Sequence, residues 1–368
     1  MVDHEQELPG TTSEAGRVPD VLHAFTPYGP ANASTRARVL RWLDYVAIPA
    51  EVHHYTQLPS APPRALAGAY RDVLTAERCL RRLSTGPLDL VLIHREASLL
   101  SRGSTESRLI DAAGMSALDI DDALHLSGSR PGLRRHLLPT AAKTRRLAAS
   151  VDRVIAGNDY LADWASTIQR DVRVIPTCVD SRDHSLKTNY AVSGPPIIGW
   201  IGSAATEIHL ASILPALDEL HRRTDCKLEV ISGPGEDCPF GVPYARRIVW
   251  TPAGAHRLAN WDVGLMPLPD EPYERGKCAY KFLQYLATGL PAVVSPVGAN
   301  ADIAHRAGAL TATSADDWVL ALMGLLTMAD QDREQMGRQG RAVAADFGYE
   351  RWAPTWIAAV AGSPRRPS

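Results

Sequence analysis

The sequence predicts an α/β protein built from two Rossmann-like domains in tandem, on three observations. The chain has 368 residues, and a single hydrophobic core seldom grows past roughly 250 residues. Short apolar runs alternate with longer helical patterns, the rhythm of βαβ units and hence of a parallel sheet covered on both faces. That alternation breaks over residues 181–195 and then starts again, so it describes two sheets and not one.

Residues 1–16, MVDHEQELPGTTSEAG, carry early acids and no apolar core, and read as a disordered tail. The first domain is placed at 17–182. It opens with the strand VLHAF and a helix from about Ser34, followed by AEVHHY, a second helix and LDLVLIH. In the first helix Val39, Trp42, Leu43 and Val46 fall on one core-facing stripe. Arg36, Arg38 and Arg41 lie off it, which assigns them to a solvated face. SALDIDDALHL, a basic stretch RRHLLPTAAKTRRLAASV, the strand DRVIAGN, a short helix and the strand VRVIPTCVD complete the unit.

SRDHSLKTNYAVSGP has charges and almost no apolar periodicity, so 183–195 reads as a linker. The second domain, 196–346, runs through PIIGWIGS, a helix near 208–223, KLEVISG, RIVW, DVGLMPL, a helix from about Lys277, PAVVSPVG and a helix near 315–326. A final helix within 347–362 places Trp352, Trp356 and Val360 one turn apart. It needs an apolar surface to lie on, and the first domain can supply one.

Composition narrows the function. Lys plus Arg number 39 and Asp plus Glu 41, a formal net charge of -2, so no bulk field draws the chain to nucleic acid or an anionic membrane. The cysteines Cys79, Cys178, Cys226, Cys238 and Cys278 are odd in number and form no CxxC pair. That argues against a disulfide framework or zinc knuckle and fits a reducing cytoplasm. No segment approaches the ~18 uninterrupted apolar residues of a membrane span.

The most informative stretch is 262–298, DVGLMPLPDEPYERGKCAYKFLQYLATGLPAVVSPVG: strand, acidic Pro-rich loop, helix, strand. It puts a helix N-terminus at the carboxyl edge of the sheet, where open α/β folds bind ligands. For a helix over 277–288, about 100° per residue aligns Lys277, Lys281, Gln284 and Thr288 on one side. Lysine in a first helical turn opposes the macrodipole by about 0.3–1 kcal/mol unless an anion sits there. Free amides, Gly276 and the two lysines would cradle a diphosphate.

These residues also resemble a known family. GLMPLPDEPYERGKCAYKFLQYLATGLPAVVSPVGAN is similar to the donor-binding segment of retaining GT-B glycosyltransferases of the family 4, or group 1, kind. LHAFTPYGPANASTRARV, LVLIHREA, LDIDDALHL, VIAGNDYLADWA, VIPTCVD and IGWIGSAAT match in order, so the likeness covers roughly residues 18–361. The resemblance implies two Rossmann-like domains facing across a cleft, with a sugar nucleotide, a UDP-sugar most commonly, held by the second domain and the acceptor facing the first. It also implies retention of anomeric configuration and no metal requirement. The family's two glutamates, eight residues apart, fall here on Gly276 and Gln284. Gln284 can still hydrogen-bond a ribose or sugar hydroxyl, and Glu274 is the substitute for the missing first carboxylate.

The expected donor site comprises Lys277, Cys278, Ala279, Tyr280, Lys281 and Gln284, joined by Gly202 and Ser203 after a buried strand; the resemblance adds Ser232 and Gly233 at the end of the next strand and Trp250, which can flank the base. On the other side His94, Arg95 and Glu96 follow an apolar strand, and Asp119, Asp121 and Asp122 form DxDD. A DxD can bind a divalent metal on a diphosphate, but this one lies far in sequence from the cradle. Asp121 instead orients acceptor hydroxyls or pins the cleft wall. His94, Asp121, Glu274 and Lys281 are the catalytic candidates; Arg36, Arg95, Glu96 and Asp122 are the acceptor-side ones. The expected partners are a nucleotide sugar and a small soluble acceptor. A Rossmann oxidoreductase is the alternative enzyme, although GPGEDC has Cys238 where a third glycine belongs. A two-domain small-molecule binding protein is the non-enzymatic alternative.

Overall fold

A computed structural model describes residues 20–60, 68–127, 140–237 and 239–362. The tail expected over 1–16, the start of the basic stretch and Cys238 lie outside the described residues.

Six parallel strands form the first sheet: β1 Leu22–Thr26, β2 Ala50–His54, β3 Leu88–His94, β4 Ala113–Ile120, β5 Arg153–Ala156 and β6 Val172–Val174, in the order β2-β1-β3-β4-β5-β6. Six more form the second: β7 Ile197–Ile201, β8 Lys227–Ser232, β9 Ala245–Val249, β10 Val263–Met266, β11 Ala292–Val294 and β12 Leu310–Thr311, in the order β12-β11-β10-β7-β8-β9. Strand order reverses between β1 and β3 in one sheet and between β7 and β10 in the other. Beyond the carboxyl ends at such switch points lie the ligand crevices of open α/β sheets.

Both faces of the first sheet are covered at its centre, which is why β3, β4 and β5 are mostly apolar runs. Phe25, Val91, Ile93, Leu118 and Ile120 pack on one side. Leu22, Leu90, Leu92, Met115 and Ile155 pack on the other, with Trp42 and Trp356. Trp356 belongs to the last helix, Tyr349–Ala361, which crosses back to the first domain. Its ring stacks on Trp42 at 5.3 Å, and the Tyr349 hydroxyl donates to the Ala37 carbonyl at 2.9 Å.

Three features depart from the expected pattern. The helical segment after β1 contains a π-helical turn, Arg36–Leu40, between α-helical pieces Ala33–Thr35 and Arg41–Val46. The wider turn shifts the phase of the stripe, and Arg38, expected in solvent, is fully buried. The linker is stitched to the second domain: the Lys187 amide donates to the Thr288 carbonyl at 2.9 Å, its ammonium to the Trp261 carbonyl at 2.6 Å, and the Tyr190 hydroxyl to the Gly289 carbonyl at 2.9 Å. Helices Ala299–Ala307 and Asp330–Ala345 also escape the sequence pattern; the second is mostly polar and buries only Arg333, Gly337, Gly340, Val343 and Ala344. Among the described residues no helix is long and apolar enough to cross a membrane.

Candidate active site

The carboxyl ends of the two sheets face each other. Their loops touch: residues 121–123 after β4 and Gly157–Asn158 after β5 meet residues 273–278 after β10. The Asn158 amide donates to the carbonyls of Gly276 at 3.0 Å and Lys277 at 3.1 Å. A side chain at Gly276 would collide with Ala123, its Cβ falling 2.7 Å from the alanine's, so the contact needs glycine there.

The first domain's wall grows from the register of its strands. β3 and β4 pair His94 with Asp119, and His94 Nδ1 lies 2.7 Å from the Asp119 carboxylate. That carboxylate also takes Arg38 Nε at 3.2 Å and a second guanidinium nitrogen, while Arg38 donates to the Ile175 carbonyl at 2.7 Å. His94 Nε2 is 2.8 Å from the Ser34 hydroxyl, which donates to Asp121. Arg95 has left-handed backbone, φ 63°, uncommon without glycine. Its two ion pairs hold it, to Asp121 at 2.6 Å and Asp122 at 2.7 Å. Burial alone would raise the Asp121 carboxyl; Arg95, with His94 and Arg38, holds it well below the usual carboxylate range.

The second domain's wall is the loop and helix after β10. The helix begins at Tyr280, not Lys277, and runs to Thr288. Ala279 is its N-cap, in left-handed backbone at φ 55°. Lys277 and Cys278 therefore precede it. The first intrahelical bond is Leu283 to the Ala279 carbonyl, 3.0 Å, so the amides of Tyr280, Lys281 and Phe282 have no carbonyl within the helix.

The two lysines differ. Lys277 crosses the cleft to Asp122 at 3.4 Å and lies 5.3 Å from the Tyr273 ring. Lys281 has no ion pair among the described residues; its ammonium sits 5.6 Å from the Trp200 ring. Burial, and then repulsion by Lys277, lowers Lys281 to about 7, against a weaker pull from Asp122. Glycine at 202 makes room for it, since a Cβ there would lie 2.6 Å from Lys281 Cε and 2.2 Å from Trp200. Gln284 and Thr288 continue this side of the helix and are buried.

The remaining candidates divide. Cys278 packs into the first domain's core and donates to the Asp121 carbonyl at 3.3 Å; burial raises its thiol far above the usual range. It fastens the loop to the opposite wall. Glu274, on the short helix Pro272–Arg275, is fully buried and lies 3.8 Å from His209 Nε2. Glu96 turns away to Lys143 at 3.0 Å. Arg36 reaches across the cleft and stacks on the Trp250 ring at 3.8 Å. Ser203 caps the turn Ala204–Thr206, Ser232 is buried, and the Gly233 carbonyl accepts from Arg247 at 3.1 Å. After Gly233 the described chain enters a 3-10 turn, Pro239–Gly241, and then β9, so no dinucleotide-type helix opens there.

Sequence reasoning missed Ser34, Arg38, Trp200 and Asn158. Only Asn158 left a local signal: it follows a strand and caps a helix, accepting from the Leu161 amide at 2.9 Å.

No protein-family model matches the chain, and no curated protein matches its sequence. Solved structures do match. An alpha,alpha-trehalose-phosphate synthase (UDP-forming) from Burkholderia vietnamiensis has a TM-score of 0.63 at 12% identity, covering 95% of this chain and 100% of that one. A trehalose-6-phosphate protein from E. coli, bound with UDP-2-fluoro glucose, has 0.62 at 12%, covering 92% and 98%. HepE of Anabaena, in complex with UDP and glucose, has 0.60 at 12%, covering 93% and 98%. The chain has the same fold, the GT-B arrangement of two Rossmann-like domains.

Proposed function

We propose that this chain is a glycosyltransferase that moves a sugar from a nucleoside-diphosphate sugar, a UDP-sugar first among them, to a small soluble acceptor with retention of anomeric configuration. One observation carries the reading. Lys281 is a cation in the cleft with no carboxylate of its own among the described residues, on a helix whose first amides are unbonded within the helix, beyond the carboxyl ends of the second sheet. A diphosphate satisfies all of these at once. The UDP-2-fluoro glucose bound in one structure of the same fold and the UDP bound in another support the nucleotide.

The reaction breaks the bond between the anomeric carbon and the β-phosphate oxygen and joins that carbon to an acceptor oxygen. Charge grows on the departing diphosphate, where Lys281 and the amides of Tyr280 and Phe282 stabilise it without reorganising. Lys277 adds its charge on leaving Asp122. Attack from the leaving-group face preserves configuration and lets the acceptor hydroxyl pass its proton to the departing phosphate oxygen. Asp121 and His94, with Arg95 and Asp122, orient the acceptor; Glu274 and Gln284 stand on the donor side. No metal takes part.

The test is a thermal-shift screen of UDP, GDP, ADP and dTDP, since a ligand of the native state raises its melting point. The preferred nucleotide's sugars are then assayed for nucleoside diphosphate release, with and without EDTA. A UDP-induced shift with EDTA-resistant, acceptor-dependent release is expected. No shift with any of the four sinks the reading.

A further inference from the structure

A second cluster of functional groups lies outside the cleft, at the edge of the first sheet. Parallel pairing of β1 with β2 sets His23 opposite Glu51 and Phe25 opposite His53. Side chains alternate along a strand, so His23, Glu51 and His53 share one face. There they converge: His23 Nδ1 is 3.2 Å from His53 Nε2, and one Glu51 oxygen is 3.6 Å from the first and 3.7 Å from the second.

The near-equilateral triangle has the size of a zinc site. Ligand atoms about 2.0–2.2 Å from a tetrahedral ion stand roughly 3.3–3.6 Å from one another. The His53 ring is held by the Phe25 ring at 4.9 Å, and the histidine side chains are 13% and 17% exposed against 60% for Glu51. Two ligands are thus fixed by packing and the third faces water, which leaves room for a solvent molecule in the fourth position. Two imidazoles and one carboxylate suit Zn²⁺, whereas Mg²⁺ and Ca²⁺ prefer all-oxygen sets.

We propose that His23, His53 and Glu51 bind one Zn²⁺ ion that cross-links the edge strand β2 to β1. Without metal the two rings share an N–H···N hydrogen bond; the ion takes the place of that proton, which leaves to solvent, and small ring rotations turn both nitrogens toward it. The site lies three residues before the end of β1, roughly 10 Å from the cleft edge at about 3.3 Å per residue. Its effect falls on the stability of the sheet edge and not on sugar transfer.

The test uses the full chain without an affinity tag, stripped with EDTA and titrated with Zn²⁺ or Mg²⁺ by calorimetry and thermal shift. One equivalent of Zn²⁺ should bind and raise the melting temperature, with no response to Mg²⁺. His23→Gln and His53→Gln should each weaken Zn²⁺ binding at least about tenfold. Cys79→Ser, which removes a thiol from the cavity wall shared with His53, should leave it unchanged. If either histidine variant fails to fold, Glu51→Gln decides, because that side chain is largely free of packing. Co²⁺ should give the visible absorption of a four-coordinate site in the wild type and lose it in Glu51→Gln. Absence of Zn²⁺ uptake by the wild type, or wild-type affinity in the folded variants, overturns the proposal.

Discussion

On the first domain's wall of the cleft, Arg38 and Arg95 each reach a carboxylate within hydrogen-bond distance, and Asp119, Asp121 and Asp122 are all engaged. Across the gap, Lys281 rests against Trp200 with no ion pair among the described residues. Paired buried charges leave little to gain from a charged ligand, and they hold side chains in fixed positions. An unpaired cation costs stability until something negative arrives. Under the proposed function, the contrast separates a wall that would orient the acceptor from one that would receive a diphosphate.

The largest expected effect tests the paired wall. Asp119→Ala leaves Arg38 buried without its carboxylate and should cost about 3–5 kcal/mol in urea unfolding. A loss below about 1 kcal/mol would mean that Arg38 escapes to solvent and the wall is not rigid.

Next comes the unpaired wall. Lys281→Ala should lower kcat/KM for the nucleotide sugar by roughly 10²–10³, the range for loss of one oxyanion-type donor, and Lys277→Ala by about tenfold less, since Asp122 already occupies it. Lys281→Met should raise the melting temperature of the ligand-free protein by about 2–4 °C. A larger activity loss in Lys277→Ala than in Lys281→Ala breaks the comparison.

The third expectation concerns pH. Only the ammonium form of Lys281 attracts diphosphate, and in the free protein that form is lost as pH rises through about 7. Above it, binding must recruit a proton, so the Kd for UDP should rise by up to about tenfold per pH unit. The sign for stability is opposite. With the folded pKa below the unfolded one, the unfolded chain holds more protons between them, and this group's penalty shrinks as pH climbs. Calorimetric Kd values at pH 6, 7, 8 and 9 check the first sign; a flat profile places the diphosphate away from Lys281.

The smallest effect is expected at the bridge between the walls. If a nucleotide base flanks Trp250, the Arg36–Trp250 stack competes with it for the indole and is worth about 0.5–2 kcal/mol. Arg36→Ala should therefore tighten UDP binding several-fold; weaker binding would make Arg36 a donor contact.

Much of the fold was legible because each strand buried on both faces reads as an apolar run, as LDLVLIH does for β3. The helix N-terminus after β10 was legible from its sheet-edge position and its misplaced lysine. Its start was read three residues early, because left-handed backbone at an alanine N-cap leaves no mark of the kind glycine, serine or asparagine leaves. Arg38 was misread for a related reason: a π turn changes the phase of a helix without a compositional cue.

The sequence alone determined two parallel sheets, the break between them and a basic helix end beside a crevice, since periodicity and the macrodipole act over a few neighbouring residues. Only the tertiary structure decided which charges are spent. The β3–β4 register gives Asp119 to His94, the π turn adds Arg38, and the packing of Gly276 on Ala123 brings Lys277 to Asp122. Among the described residues Lys281 is left without an ion pair; compensation of a buried charge depends on residues distant in the chain, whose approach no local pattern records.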